Sequence, residues 1–362
     1  MPSLFDPIRI GALEAPNRIF MAPLTRARGT RDHNPTPIMS GYYRQRSSAG
    51  LIISEATGIS AEGLGWPFAT GIWSDTQIAG WSRITESVHD AGGRIFCQLW
   101  HMGRVAHSSM HGGAQPVSSS MTTAPGFAHT YEGKQPHVQA RALTPDEIRR
   151  VINDYRRAAR NALRAGFDGV QIHAANGYLI DQFLRASANL RTDEYGGAIE
   201  NRMRLLREVG ESVAAEIGSD RLAIRLSPNG ESQGVNDPDP EPLFVAVARF
   251  LSSLGLAFLE LREPPMDGTR GKPDHPPIAP AIRRVFKGPL VLNSDFDRVK
   301  ATAAVASGAA DAITFGRAFL ANPDLPARLM RNSPLNVDDV ETWYSQGSQG
   351  YVDYPHLHAE QL

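Results

Sequence analysis

Three polar side chains fall within six residues of one another, directly after a short apolar run. His173, Asn176 and Tyr178 follow the β-branched segment Val170–Ile172, and Gly177 lies in the turn between the last two. All three side chains can donate hydrogen bonds, so two of them could hold one substrate oxygen while the phenol delivers a proton. A histidine alone would be interpreted as a buried structural residue. Its spacing from the amide and the phenol predicts a site at the carboxyl end of a strand.

Such a strand end needs a sheet to hold it, and the chain supplies eight candidate strands. They alternate with amphipathic stretches, which predicts an α/β fold, a parallel eight-stranded barrel ringed by helices, the (β/α)8 or TIM barrel. A hairpin of 8–10 and 16–18 is predicted before it. Spacing alone leaves a doubly wound open sheet as the alternative. The predicted strands are Ile19–Ala22, Leu51–Ser54, Arg94–Leu99, Gly169–Ile172, Leu222–Leu226, Ala257–Leu261, Pro289–Leu292 and Asp311–Phe315.

Amphipathic patterns predict five helices between these strands. The second begins with Thr144-Pro145-Asp146-Glu147, the pattern of a capping box. The predicted helices are Asp75–Ala91, Thr144–Ala165, Ile199–Ile217, Pro242–Leu254 and Val299–Ser307.

Two stretches depart from a minimal barrel. Segment 101–140 follows the third strand and is rich in Gly, Ser, Thr, Pro and His without a clear period. We expect it to cap the face where barrel active sites lie, as a lid inserted in one domain that spans 1–362. The tail 343–355 is predicted to fold back over the same face. The alternative is that both are ordinary ordered loops. The aromatic residues of the tail are Trp343, Tyr344, Tyr351 and Tyr354.

Composition narrows the classes of function. The chain has 362 residues and a net charge of −1, which argues against nucleic acid or an anionic membrane as partners. Its single cysteine, Cys97, excludes an internal disulfide framework, a four-cysteine zinc site and a cysteine-ligated iron–sulfur cluster. The N-terminus does not have the pattern of a signal peptide, so a cytoplasmic protein is expected. Loop histidines such as His101 lack carboxylate or thiolate partners, so no metal site is predicted and solvated side chains are expected.

The last two strands are predicted to end in an anion site. Ser294 and Asp295 follow the seventh strand, and Gly316-Arg317 leaves the eighth. Phosphate often binds at these two loops in such barrels, where a glycine allows close backbone approach and an arginine adds a charged contact. The alternative is a turn followed by a surface arginine. Since neither GxGxxG nor GxxxxGK[ST] occurs at a strand end, the phosphate would belong to a mononucleotide-type cofactor or a phosphorylated substrate.

Eight segments together resemble the old yellow enzymes, FMN-dependent ene-reductases built on a (β/α)8 barrel. The resemblance covers residues 4 to 355, and within the family it is to the bacterial N-ethylmaleimide and nitrate-ester reductases. The segments are MAPLTR (Met21–Arg26), YYRQR-x3-GLIISEAT (Tyr42–Thr57), QLWHMGR (Gln98–Arg104), GFDGVQIHAANGYLIDQFL (Gly166–Leu184), RTDEYGG-x3-NR (Arg191–Arg202), IRLSP (Ile224–Pro228), FGRAFLANPDL (Phe315–Leu325) and GYVDYP (Gly350–Pro355).

The resemblance implies a tightly bound, non-covalent FMN, NAD(P)H as reductant, and a role for each site residue. Thr25 would bond the flavin C4 carbonyl, Gln98 the pyrimidine edge, and Arg225 would lie near N1 and C2=O. The implied flavin-lining residues are Pro23, Thr25, Ala56, Gln98 and Arg225. The implied phosphate ligands are Ser294, Asp295, Gly316 and Arg317. The implied substrate-side residues are His173, Asn176, Trp66, Trp100 and Tyr351, with Tyr178 as the proton donor.

Two departures from the family pattern are visible. The oxygen-binding pair is histidine and asparagine, where some relatives have two histidines. Asp295 lies where many relatives have a glycine-rich turn, and a carboxylate beside a phosphate is unfavourable unless its side chain bonds locally.

The resemblance also implies a reaction. Alkenes activated by a carbonyl, imide or nitro group (enones, enals, maleimides, nitroalkenes) would be reduced in a ping-pong cycle, with hydride from flavin N5 and a proton from Tyr178. Activity on nitrate esters or nitroaromatics stays open. The expected partners are these small molecules and NAD(P)H, and the expected state is a monomer or a weak homodimer. The alternatives are a non-catalytic flavin-binding redox sensor and a barrel enzyme acting on a phosphorylated metabolite.

Overall fold

Eight parallel strands close into a barrel in this computed structural model, which describes residues 1–230, 232–268 and 271–357. Around the barrel the order is β3-β4-β5-β10-β11-β12-β13-β14, and β14 pairs with β3. Closure confirms the predicted (β/α)8 barrel and excludes the open sheet. The strands are β1 (Ile8–Ile10), β2 (Leu13–Ala15), β3 (Ile19–Met21), β4 (Leu51–Gly58), β5 (Ile95–Trp100), β6 (Val117–Ser118), β7 (Phe127–Thr130), β8 (Gly133–Pro136), β9 (Arg141–Ala142), β10 (Gly169–Ala174), β11 (Leu222–Leu226), β12 (Phe258–Arg262), β13 (Leu290–Asn293) and β14 (Ala312–Phe315).

Helices surround the barrel, and the longest begins as predicted. Thr144 Oγ1 accepts a hydrogen bond from the Glu147 N–H (3.3 Å), and the Glu147 carboxylate accepts one from the Thr144 N–H (2.9 Å). The predicted helix 199–217 is interrupted at Met203. The helices are α1 (Pro37–Arg44), α2 (Asp75–Asp90), α3 (Pro145–Arg164), α4 (Leu179–Leu184), α5 (Ile199–Arg202), α6 (Arg204–Ile217), α7 (Pro240–Leu254), α8 (Ala279–Val285), α9 (Arg298–Ala306), α10 (Arg317–Ala321) and α11 (Leu325–Arg331).

Apolar side chains fill the amino-terminal half of the barrel. Phe258 contacts Phe20 and Phe96 there, with ring centroids 6.1 and 5.8 Å apart. The hairpin β1–β2 adds Ile10 and Ala15 to the same cluster. Since apolar packing occupies this end, polar side chains on the strands are left for the carboxyl end, where the site was predicted.

Two boundary predictions were wrong in an informative way. The second hairpin strand is Leu13–Ala15 rather than 16–18, because Gly11 turns the chain early with a positive φ of 55°. Strand β10 continues to Ala174 rather than ending before His173. His173 pairs with Arg225 of β11 in the parallel register, and Arg225 in turn pairs with Glu260 of β12. The pairing places these three residues at one level of the barrel.

The excursion after β5 forms structure of its own. It contains two short 3-10 helices (Gly103–Val105 and Ser108–His111), strand β6 and the hairpin β7–β8. His129 of the hairpin stacks on Trp66 with ring centroids 4.3 Å apart, so the hairpin contacts the loop that follows β4. His101 is buried rather than solvated as expected. Within the described ranges, every helix is too short or too polar to cross a membrane.

Candidate active site

A cavity of about 430 Å³ opens at the carboxyl ends of the barrel strands. The predicted site residues come from widely separated parts of the chain, and the fold brings all but one of them to its wall. Those that line it are Pro23, Thr25, Ala56, Trp66, Gln98, Trp100, His173, Asn176, Tyr178, Arg225, Ser294, Asp295, Gly316 and Arg317.

Tyr351 is the exception, and its predicted place on the substrate side was wrong. It is fully buried and stacks on Tyr42, with ring centroids 4.1 Å apart and planes 4° from parallel. The guanidinium of Arg28 lies 4.6 Å from the centroid of its ring. Trp343 and Tyr344, seven or eight residues earlier in the tail, line the cavity instead. The tail therefore does reach the site, through different aromatic residues.

Two buried arginines hold the tail in place. Arg26 donates to the carbonyls of Trp343 (3.0 Å) and Gly350 (2.7 Å). Arg28 donates to the carbonyls of Thr342 and Trp343, both at 3.0 Å. Because these contacts lie on both sides of Tyr344, they fix the backbone that carries it to the cavity.

The turn after β10 presents the predicted trio. The rings of His173 and Tyr178 have centroids 4.8 Å apart and lie at 78° to each other. Trp100 also packs edge-on against the phenol, with ring centroids 5.0 Å apart. Tyr178 therefore contacts two other rings, and both of these neighbours also line the cavity.

Hydrogen bonds fasten the backbone of this turn. Asn176 adopts a positive φ of 57°, and its N–H donates to Ser227 Oγ at 2.7 Å. The Gly177 N–H donates to Asp181 Oδ2 (2.9 Å), and its carbonyl accepts from Gln182 Nε2 (2.7 Å). These bonds fix the backbone of the turn from which the Asn176 side chain extends.

A buried ion pair between α4 and the residue that follows it also stabilises this turn. Asp181 and Arg185 are both buried, with Arg185 Nε 3.0 Å from Asp181 Oδ1. Arg185 also donates to the Ser227 carbonyl. Since removing one member would leave the other charge buried and uncompensated, the pair locks α4 against the end of β11.

Burial sets the protonation states of the trio. Burial, and secondarily Arg225, holds the pKa of His173 well below its usual value, so the imidazole is neutral near pH 7. Burial raises the pKa of Tyr178 well above its usual value, so the phenol keeps its proton. Within the described residues, His173 Nδ1 and Asn176 Oδ1 are buried without a hydrogen-bond partner. Unpaired polar atoms on a cavity wall favour a polar ligand.

Arg225 brings a positive charge to the barrel side of the cavity. Its guanidinium donates to Asn293 Oδ1 (2.7 Å) and lies 3.5 Å from Glu260 Oε1. Asn293 is held by its own bond to the Thr314 carbonyl at 2.9 Å. These contacts come from three neighbouring strands, so the direction of the guanidinium is set by the barrel itself.

The predicted anion end forms the opposite side. Arg317 donates to Asp295 Oδ1 at 2.6 Å, which is the local bonding that makes a carboxylate acceptable there. Of the described residues, a Cβ at Gly316 would meet only Leu24 within 4 Å, at 3.6 Å, so the space before this backbone is open to a ligand. Asn293, Asp295, Gly316 and Arg317 also line a neighbouring cavity of about 460 Å³.

Other cavity residues were not assigned to the site from the sequence, although the tail that carries Trp343 and Tyr344 was predicted to reach this face. They are Leu24, Arg26, Ser232, Gln233, Arg262, Asn293, Leu320, Trp343 and Tyr344. Arg262 and Asn293 end β12 and β13 and pair in register. A polar residue that closes an apolar strand was the available signal for both.

A cavity at the carboxyl ends of a parallel barrel, lined by hydrogen-bond donors and by an arginine-bearing turn, is typical of a barrel enzyme that binds a small ligand with an anionic group. Comparison with known proteins gives the family. Residues 3–336 match the model of the NADH:flavin oxidoreductase / NADH oxidase family, and the chain belongs to that family. It is an oxidoreductase of the old yellow enzyme type, with FMN as cofactor and a nicotinamide nucleotide as reductant.

Three similar proteins illustrate the relationship. The old yellow enzyme homologue of Zymomonas mobilis superimposes with a TM-score of 0.97 at 63% identity, covering 98% of this chain and 99% of that one. Morphinone reductase in complex with tetrahydroNAD superimposes with a TM-score of 0.94 at 44% identity, covering 99% of each chain. A probable flavin mononucleotide-dependent alkene reductase of Leishmania infantum is 41% identical over 98% of this chain and 97% of its own length.

Proposed function

We propose that this protein is an ene-reductase that reduces the C=C bond of alkenes conjugated to a carbonyl, imide or nitro group, at the expense of NAD(P)H. The observation that carries the proposal is the convergence of His173, Asn176 and Tyr178 on one cavity wall, with buried polar atoms of the first two unpaired within the described residues. The alkene reductase relative supports the reaction class.

The residues of the cavity fit FMN along its length. Pro23, Thr25, Ala56, Gln98 and Arg225 would hold the isoalloxazine, with Thr25 at the C4 carbonyl and Arg225 near N1 and C2=O. Backbone groups of Ser294, Asp295 and Gly316, together with the Arg317 side chain, would hold the phosphate. When bound, FMN supplies the redox chemistry: it accepts hydride from NAD(P)H and passes hydride to the β-carbon of the alkene.

His173 and Asn176 would bind the oxygen of the activating group. As that oxygen gains negative charge, neutral donors aimed at it stabilise the transition state without any reorganisation. A neutral imidazole can donate one N–H and the amide can donate another, so the pair matches a single carbonyl or nitro oxygen. Trp66, Trp100 and Tyr344 would shape the space around the alkene.

Tyr178 would complete the reaction as the acid. The alkene gains hydride at the β-carbon and needs one proton at the α-carbon. Because the pKa of Tyr178 is raised, the phenol is fully protonated near neutral pH and available to deliver it. The resulting phenolate regains its proton from solvent, which leaves a saturated product and an unchanged enzyme.

The test is anaerobic turnover of NADPH or NADH with cyclohexenone and N-ethylmaleimide, with the products identified by NMR. The amount of nicotinamide nucleotide consumed should equal the amount of saturated product formed. If NAD(P)H reduced the bound flavin but both alkenes were recovered unchanged, the protein would be a flavin-binding redox sensor instead.

A further inference from the structure

A chain of three buried polar side chains crosses the barrel beneath the cavity. Gln98 Nε2 donates to Gln171 Oε1 at 2.7 Å, and Gln171 Nε2 donates to Glu260 Oε2 at 2.6 Å. Gln171 and Glu260 are fully buried, and Gln98 is the member that lines the cavity. Because parallel pairing aligns Gln98 with Gln171, the first bond follows directly from the strand register.

Glu260 determines which way the chain of hydrogen bonds runs. It forms an ion pair with Arg225, with Nε 3.5 Å from Oε1, and accepts a second hydrogen bond from Thr314 Oγ1 at 2.7 Å. A carboxylate has no proton to donate, so it only accepts. Gln171 must therefore turn its NH2 group towards Glu260.

The direction of the Gln171 amide also determines the direction of the Gln98 amide. Once Gln171 donates to Glu260, the atom it turns towards Gln98 is its carbonyl oxygen, and Gln98 must donate in its turn. Within the described residues, the Gln98 side chain makes no hydrogen bond other than this one. Its own Oε1 is left as the acceptor that it offers to the cavity.

We infer that Glu260 is a positioning residue which, acting through Gln171, fixes the amide of Gln98 so that an oxygen rather than an NH2 group faces the ligand. An acceptor at this place selects an N–H group on the ligand, and the isoalloxazine offers one at its imide edge. A reversed amide would place its donors against that N–H and lose the bond. The inference rests on the proposed placement of FMN.

The test compares two flavins that differ only at that N–H. FMN and N3-methyl-FMN are titrated into flavin-free protein, and the two dissociation constants are obtained from flavin fluorescence. The ratio of the two dissociation constants is the readout, because a merely structural change would weaken the binding of both flavins to the same extent. For the wild-type protein the ratio should favour FMN by at least about tenfold, the worth of one good hydrogen bond.

Gln171→Met breaks the chain while keeping the volume of the side chain. It should bring the ratio towards unity, a fall of about tenfold. Thr314→Val is the matched control, because it removes the other donor to Glu260 and leaves the path to Gln98 intact, so its ratio should equal that of the wild type. An unchanged ratio in a folded Gln171→Met protein would overturn the inference and leave the proposed function standing.

A second variant decides the matter if Gln171→Met does not fold. Glu260→Gln keeps the shape of the side chain but can donate as well as accept, so it no longer dictates the direction of the amides. It too should lower the ratio, and a ratio equal to the wild type would contradict the role of Glu260. If the wild-type protein bound neither flavin, the placement of FMN itself would be wrong.

Discussion

The rings of His173 and Tyr178 lie 4.8 Å apart and nearly perpendicular, although one belongs to a barrel strand and the other to the residue before α4. This arrangement places a neutral hydrogen-bond donor and a protonated phenol on the same wall of the cavity. One bound substrate could therefore have its oxygen bound by the first and a carbon protonated by the second. The separation of the two roles gives the first prediction.

Tyr178→Phe should slow alkene reduction by about two to four orders of magnitude, because it removes the proposed general acid. Reduction of the flavin by NAD(P)H requires no proton from the phenol and should keep its rate. Rapid mixing measures the two half-reactions separately. Tyr195→Phe is the control, since that hydroxyl bonds Glu208 and lies outside the cavity lining. Equal losses in both half-reactions would argue for a structural role of Tyr178.

Arg317→Gln should weaken the binding of FMN by about tenfold or more and leave the binding of riboflavin unchanged, because only FMN carries the phosphate. Titration of flavin-free protein with each ligand measures this. Lys300→Gln is the control: Lys300 lines the neighbouring cavity and lies 3.8 Å from Asp267. Equal weakening of both flavins would move the phosphate away from Arg317.

Arg28→Met should loosen the tail, because it removes the donors to the Thr342 and Trp343 carbonyls. Faster protease cleavage within 343–350 and about tenfold weaker binding of substrate-like phenols are expected. Arg44→Met is the matched surface control, since Arg44 is exposed and donates to the Ser87 carbonyl. A tail that resists protease in the Arg28→Met protein would assign the anchoring to Arg26 alone.

Acid should destabilise the protein through buried histidines. Burial lowers the pKa of His101 from 6.5 to about 3, and His173 shifts in the same direction. Below pH 6.5 the unfolded chain therefore binds more protons than the folded protein, so the free energy of unfolding falls as pH drops, by up to ~1.4 kcal/mol per pH unit for each group. Urea unfolding between about pH 7 and about pH 4.5 measures the slope. His101→Gln should make it shallower; an unchanged slope would show that His101 is protonated in the folded state.

The barrel and the turn after β10 were predictable because their signals are local. Eight apolar runs set the strands, and His173, Asn176 and Tyr178 lie on one turn, so no long-range contact was needed to bring them together. The short helices such as α4 and α10, of six and five residues, were missed because so few residues show no helical period.

The positions of the tail and of the buried polar side chains inside the barrel depend on long-range contacts, which spacing in the sequence does not reveal. Tyr344 and Tyr351 are both aromatic and close in sequence, and the choice between them is made by buried arginines more than 300 positions away, such as Arg28 with its bond to Trp343. Glu260 carried a weaker local signal, a charged residue inside the apolar run of β12. Arg225 stood out on β11 in the same way.

The most direct test of the central claim is a visible absorption titration of the FMN-loaded protein with a para-substituted phenol. We predict a broad long-wavelength charge-transfer band in the wild-type protein, because the proposed oxygen-binding pair, His173 and Asn176, would hold the phenolate oxygen over the flavin. His173→Leu and Asn176→Leu should each weaken phenol binding by about tenfold or more, with FMN still bound. Flavin bands without the new band, or unchanged phenol affinity in both variants, would contradict the assignment of the oxygen-binding pair.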